Sequence, residues 1–218
     1  MLDDHLQVRK GENKARFCAD HNAAKVIFNA LALNAVTLGI PCIYYGSEQC
    51  FDGNGKGDGA DRYLRESMFR GDFGAFASQG KHFFDESNPV YQQLAEVLSI
   101  RQNNIVLKRG RQYLREVSAK DDAVQFGLPA MVAGQIRYVV PWSRIFNGKE
   151  VLLAINTNYS QASTAWVTID DTLHKDGELL TCIYSTDSKQ VGQETKVELP
   201  NGKAVLLTVA AAGFVIYE

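Results

Sequence analysis

The chain has 218 residues, of which 45% are apolar and 22% charged, and its formal net charge is −2. That length suits one globular domain or two small ones, and the charge balance gives no electrostatic reason to expect nucleic acid or an acidic membrane as a partner. Lys and Arg are scattered, and the longest apolar-leaning stretch, 23–45, is broken by Lys25, Asn29, Asn34, Gly39 and Pro41, so it does not read as a membrane span.

The N-terminal MLDDHLQVRK is polar and has no apolar core of a signal peptide, so it assigns no compartment. A first helix is expected over 22–38, capped by Asp20 or Asn22 and stopped by Gly39 and Pro41. Ile27, Phe28, Leu31, Ala35 and Leu38 recur at helical spacing along it. The apolar run Ile40–Tyr45 follows, short enough and flanked well enough by Gly and Pro to be a strand buried on both faces. A Gly-rich stretch, 51–61, separates it from a second helix expected over 89–102, with Pro89 in its first turn and Leu94, Val97, Leu98 and Arg101 setting its spacing.

After Gly110 the period changes to alternation. Strands are expected at 113–118, 124–128, 137–142, 151–156, 165–169, 179–184, 196–199, 204–209 and 213–217. Asn147-Gly148, Asp176-Gly177 and Asn201-Gly202 mark turns, and the last of these is the clearest hairpin signal. The pattern implies an antiparallel β-sandwich of about a hundred residues. Trp142 and Trp166 sit on its strands and are expected to pack in its core.

No zinc pattern is present: Cys18, Cys42, Cys50 and Cys182 form no C-x-x-C pair and read as buried free thiols. His21, His82 and His174 have no partner at ligand spacing and read as surface or polar-core residues. Asp52, Asn54 and Asp58 fall at EF-hand spacing, but Lys56 takes a ligand position and Tyr63 stands where the bidentate Glu belongs, so a solvated loop is expected. Neither a nucleophile-elbow serine nor a phosphate loop occurs.

Three passages resemble the α-amylase family of glycoside hydrolases. Leu2-Asp3-Asp4-His5-Leu6 looks like the motif that ends the seventh barrel strand; Gly39-Ile40-Pro41-Cys42-Ile43-Tyr44-Tyr45-Gly46-Ser47-Glu48-Gln49 resembles the eighth strand and its loop; and Asp61-Arg62-Tyr63-Leu64-Arg65-Glu66-Ser67-Met68-Phe69 resembles a loop of bacterial members. The resemblance implies an α+β chain: the last one or two βα units of a (β/α)8 barrel over 1–108, then an antiparallel Greek-key β-sandwich over 109–218. It also implies that the earlier barrel strands, and a natural N-terminus, lie upstream. The first hundred residues are then expected to be unstable alone unless they pack on the sandwich, self-associate through exposed barrel faces or meet the missing segment.

For function the resemblance implies part of a retaining hydrolase or transglycosylase acting on α-glucans such as starch and maltooligosaccharides. Such chemistry needs two carboxylates about 5–5.5 Å apart, and in the family both come from earlier strands, so the isolated chain is expected to be inactive. The position of the family's transition-state acid is Leu6, which cannot carry charge. His5 matches the sugar-binding histidine and Asp4 the position before it. Tyr45, Glu48, Gln49, Asp61 and Arg62 would border the cleft as substrate contacts, the alternative for Asp61 being a surface pair with Arg65. Of the adjacent Tyr44 and Tyr45, one is expected in the core and one free to stack on a sugar ring. No metal or cofactor is implied for this chain, with calcium left open for a longer enzyme. Two non-catalytic readings stand beside this one: an α-glucan-binding accessory module, and a structural partner completing another chain's barrel.

Overall fold

The computed structural model describes residues 2–4, 15–53, 64–65, 68–69 and 83–218. The chain divides into two compact units, Met1–Ser99 and Ile100–Glu218.

In the first unit the Asp20 carboxylate accepts hydrogen bonds from the Asn22 and Ala23 amides at 2.9 and 3.0 Å. This capping starts α1 (His21–Ala24). The expected helix is interrupted at Lys25 and Val26, where Val26 takes a non-helical ψ of 18°, and it resumes as α2 (Ile27–Val36). Phe28, Leu31, Ala32 and Ala35 are buried along α2, as their spacing requires. It ends two residues early because Thr37 is extended, with its hydroxyl donating to the Leu33 carbonyl at 2.7 Å.

The strand expected at Ile40–Tyr45 does not form. The segment carries no ladder, and Ile40 is 95% exposed. Its backbone is held instead by the Asn34 side chain, whose Nδ2 donates to the Cys42 carbonyl at 2.8 Å. A strand needs a neighbour to complete its hydrogen bonds, and the described residues of this unit contain none.

The division between the units falls within α3 (Pro89–Asn103), whose start is capped by Asn88 through a 2.9 Å bond from the Val90 amide. In the second unit Asn104 caps a short α4 (Ile105–Arg109) in the same way. Gly110 then turns the chain into the sheet. A β-carbon there would come within 2.4 Å of the Val106 carbonyl oxygen, so only glycine fits the joint.

Twelve strands follow: β1 (Arg111–Leu114), β2 (Val117–Ala119), β3 (Asp122–Gly127), β4 (Met131–Val132), β5 (Gln135–Ile136), β6 (Val140–Phe146), β7 (Lys149–Ile155), β8 (Ser163–Thr168), β9 (Leu179–Ser185), β10 (Glu194–Glu198), β11 (Ala204–Val209) and β12 (Phe214–Tyr217). Ten of them run β1-β6-β7-β12-β9-β10-β11-β8-β2-β3, every neighbouring pair antiparallel. The sheet folds over on itself. One core joins Leu152, Ala154, Cys182 and Val215 from one half to Val117, Val167, Val197, Val205 and Leu207 from the other. That is a β-sandwich, as the strand series implied.

Two expected strands differ in detail. The run at 113–118 breaks at Arg115 and Glu116 and supplies β1 to one half of the sheet and β2 to the other. The small β4–β5 hairpin, turned at Ala133 (φ 51°) and Gly134 (φ 79°), pushes the start of β6 to Val140. Asn147 and Gly148, both at positive φ, close the β6–β7 hairpin with Phe146 opposite Lys149, and the turn around Asn201-Gly202 links β10 to β11. Along β7 every residue from Glu150 to Ile155 is buried. Leu152 and Ala154 face the sandwich core, and α4 packs against β6 and β7. Trp142 on β6 is 2% exposed and stacks on Phe214, as expected, whereas Trp166 is only partly covered.

Candidate functional site

The segment that ends α2 and runs to Gly53 is built around Arg16, whose side chain is fully buried. Its guanidinium lies 5.0 Å from the Tyr44 ring centre, 5.7 Å from that of Tyr45 and 5.5 Å from that of Phe51. Nη2 donates to the Tyr45 carbonyl and, at 3.2 Å, to the Ser47 hydroxyl. The balancing charge is Asp3, 3.5 Å from Nε. Asp3 also accepts from the Phe17 amide at 2.8 Å and from the Ser47 hydroxyl at 2.5 Å. Gly46 (φ 82°) closes this arrangement. A β-carbon there would stand 2.4 Å from the Phe51 ring and 2.9 Å from Arg16 Nη1.

Held on this base, Tyr45 leaves its residue 37% exposed, with its ring tilted against Tyr44 at 4.8 Å; Tyr44 is half-buried. Glu48 is half-buried, and its Oε2 has no hydrogen-bond partner among the described residues. Gln49 turns inward, 6% exposed, and its Oε1 accepts from the Asp85 amide at 3.0 Å. It braces the loop rather than facing solvent. Asp4 is half-buried beside the fully turned-in Asp3. Tyr45 and Glu48 therefore lie on one short segment. His5, Leu6, Asp61 and Arg62 lie outside the described residues.

Sequence reasoning passed over Arg16 and read Asp3 only as part of the Leu2-Asp3-Asp4-His5-Leu6 passage. The only signal was a lone cation in the apolar context Ala15-Arg16-Phe17-Cys18. All four cysteines are free, but Cys42 is exposed, against expectation, because the segment carrying it is not a covered strand. Among the described residues no three His, Cys, Asp or Glu side chains converge to hold a metal ion. Nor is any helix among them long and apolar enough to cross a membrane.

The second unit contains a separate polar cluster. Glu150, whose side chain is 1% exposed, accepts hydrogen bonds from Arg115 Nη2 at 2.7 Å, the Asp170 amide at 2.9 Å and the Ser143 hydroxyl. Its Oε2 faces His174 Nε2 at 3.0 Å, and the other ring nitrogen faces Glu178 Oε1 at 3.2 Å. Burial alone pushes the Glu150 carboxyl up, but the bond to His174, the charge of Arg115 and the Ser143 and Asp170 donors together hold it below the usual range. His174 is shifted the other way. Its bond to Glu150 raises it, burial opposes that, and Glu178 adds to the rise. Glu150, His174 and Glu178 form one wall of a cavity of about 510 Å³.

No protein-family model matches the chain. In sequence it is similar to the α-amylase mde5 of Schizosaccharomyces pombe, 30% identical over 123 residues, which are 56% of this chain and 20% of that protein. In structure it is similar to CldA, a cyclomaltodextrin glucanotransferase, with a TM-score of 0.58 and 22% identity over 93% of this chain and 34% of the other. It is also similar to the α-amylase of Geobacillus thermoleovorans, with a TM-score of 0.55 and 14% identity over 90% of this chain and 32% of that one. The γ-cyclodextrin glucanotransferase of an alkalophilic Bacillus clarkii gives a TM-score of 0.52 and 24% identity over 91% and 23%. The chain thus spans about a fifth of the length of the curated relative it matches. In fold and in part of its sequence, it resembles the C-terminal portion of α-amylase-type glycoside hydrolases.

Proposed function

We propose that this chain is a portion of an α-amylase-type glycoside hydrolase acting on α-glucans, carrying part of the rim of the sugar cleft but neither the nucleophile nor the acid/base. The observation that carries this reading is the pairing of an exposed Tyr45 ring with the Glu48 carboxylate on a segment braced from behind by Arg16 and Gln49. An aromatic face and a carboxylate acceptor on a rigid backbone suit a sugar ring and its hydroxyls. The sequence likeness to an α-amylase supports the same substrate class. Retaining hydrolysis needs two carboxylates about 5–5.5 Å apart, and in the family the chain resembles both come from other strands.

Two measurements on the purified chain test the proposal. Incubated with soluble starch and freed of host amylase, it releases no reducing ends; robust release would overturn the division of labour. Titrated with maltoheptaose and followed by tyrosine NMR signals, it shows weak binding that Tyr45→Ala abolishes; binding indifferent to that change would remove Tyr45 from the rim. Affinity tighter than about 1 mM would favour the accessory-module reading.

A further inference from the structure

His174 lies in the connection between β8 and β9, and both of its ring nitrogens face carboxylates. A neutral imidazole carries one N–H and can donate to only one of them, leaving a lone pair against the other oxygen. Only the imidazolium satisfies both contacts. We propose that His174 is a proton-operated latch: in its protonated form it bridges Glu150 on β7 and Glu178 near the end of the β8–β9 connection, and loss of the proton leaves one of the two contacts unmade and weakens the wall of the adjoining cavity.

The surrounding groups make the latch sensitive. Arg115, at the junction of β1 and β2, spends its charge on Glu150 at 2.7 Å and lies 4.0 Å from Asp170. Glu178 also accepts from the Lys175 amide at 2.8 Å. Lys203, just before β11, donates its ammonium to the His174 carbonyl at 2.6 Å, so it holds the backbone and not the ring. The cluster therefore sets Glu150, Glu178 and Asp170 against Arg115 and His174, three negative charges to two positive. Deprotonation leaves three against one, with either the Glu150 or the Glu178 carboxylate facing a lone pair. The connection is held at other points as well: the Asp170 amide donates to Glu150 at 2.9 Å, the Lys203 ammonium donates to the Asp171 and His174 carbonyls, and the Gly177 amide donates to the Val197 carbonyl at 2.9 Å; His174 is the member of this set whose charge changes near neutral pH.

The sign follows from linkage. The folded-state pKa of His174 lies above its unfolded value of about 6.5, so the contribution is complete below that value and is lost as pH rises through the folded one. Both tryptophans, Trp142 and Trp166, belong to the second unit, so tryptophan fluorescence of the whole chain follows this unit alone. Urea unfolding of the wild-type chain is measured from pH 5.5 to 9.5 beside His174→Gln, whose amide cannot take up a proton. The unfolding constant of the wild type is expected to rise with pH above ~6.5, by at most about tenfold per pH unit, and to level off once the folded pKa is passed, while that of the variant stays flat. Parallel slopes in the two proteins would overturn the proposal. Should the variant not fold, the wild type decides: the His174 imidazole proton signal titrating above 6.5 supports the latch, and titration at or below 6.5 overturns it.

Discussion

Asn156, fully buried at the end of β7, gives the most direct test of how the second unit is held together. Its Nδ2 donates to the Gln161 carbonyl at 2.8 Å and the Ala210 carbonyl at 2.9 Å, with Val209 at 3.2 Å, while Oδ1 accepts from the Asn158 amide at 3.0 Å. One side chain thus ties the β7–β8 connection to the turn between β11 and β12. Asn156→Leu keeps the branched outline of the side chain and removes every one of these bonds. Three good hydrogen bonds at about 1 kcal/mol each, plus about 1–3 kcal/mol for backbone groups left buried without partners, give a loss of about 4–6 kcal/mol. That is a large fraction of the roughly 5–15 kcal/mol that holds a domain of this size. Tryptophan-monitored urea unfolding should show the midpoint moving far down with an unchanged slope, if the unit unfolds at all cooperatively in the variant. A loss under about 1 kcal/mol would refute the reasoning, since it would mean that water replaces the amide without penalty.

Three other outcomes are expected. Gly46→Ala strains a left-handed position and drives a methyl into Phe51 and Arg16, at a cost of about 2–4 kcal/mol to the first unit; faster amide exchange at Ser47 and Cys50 checks it. At the acid end Glu150, held low by its donors, contributes stability above its unfolded pKa that disappears as pH falls through the folded one. Wild-type unfolding measured from pH 5 down to 2 should therefore lose stability more steeply than Glu150→Gln does. Asp20→Ala removes the cap of α1 and should cost about 1 kcal/mol, read as loss of protection of the Asn22 and Ala23 amides.

How far the sequence carried can be seen element by element. Alternation placed β11 at 204–209 to the residue, because strand periodicity and a following turn are local properties. Asn147-Gly148 gave its hairpin for the same reason: the left-handed backbone of the turn selects those residue types wherever they stand. The Gly-Ile-Pro passage resembles the family of the proteins to which the chain is similar, yet the strand assigned to it is absent, since a strand exists only where another chain segment completes its ladder.

What the sequence determined by itself was periodicity, turns and caps, hence a helical first part and a sandwich after it, together with the presence of Tyr45 and Glu48 on one short segment. Only the tertiary structure decided that Gln49 braces that segment from inside, that Arg16 and Asp3 form its base, and that His174 bridges Glu150 and Glu178. Spacing along a chain reports which neighbours share a face. It does not report charges that meet across 13 residues, as Asp3 and Arg16 do, or across 24, as Glu150 and His174 do, because the fold sets those contacts and not the local backbone geometry.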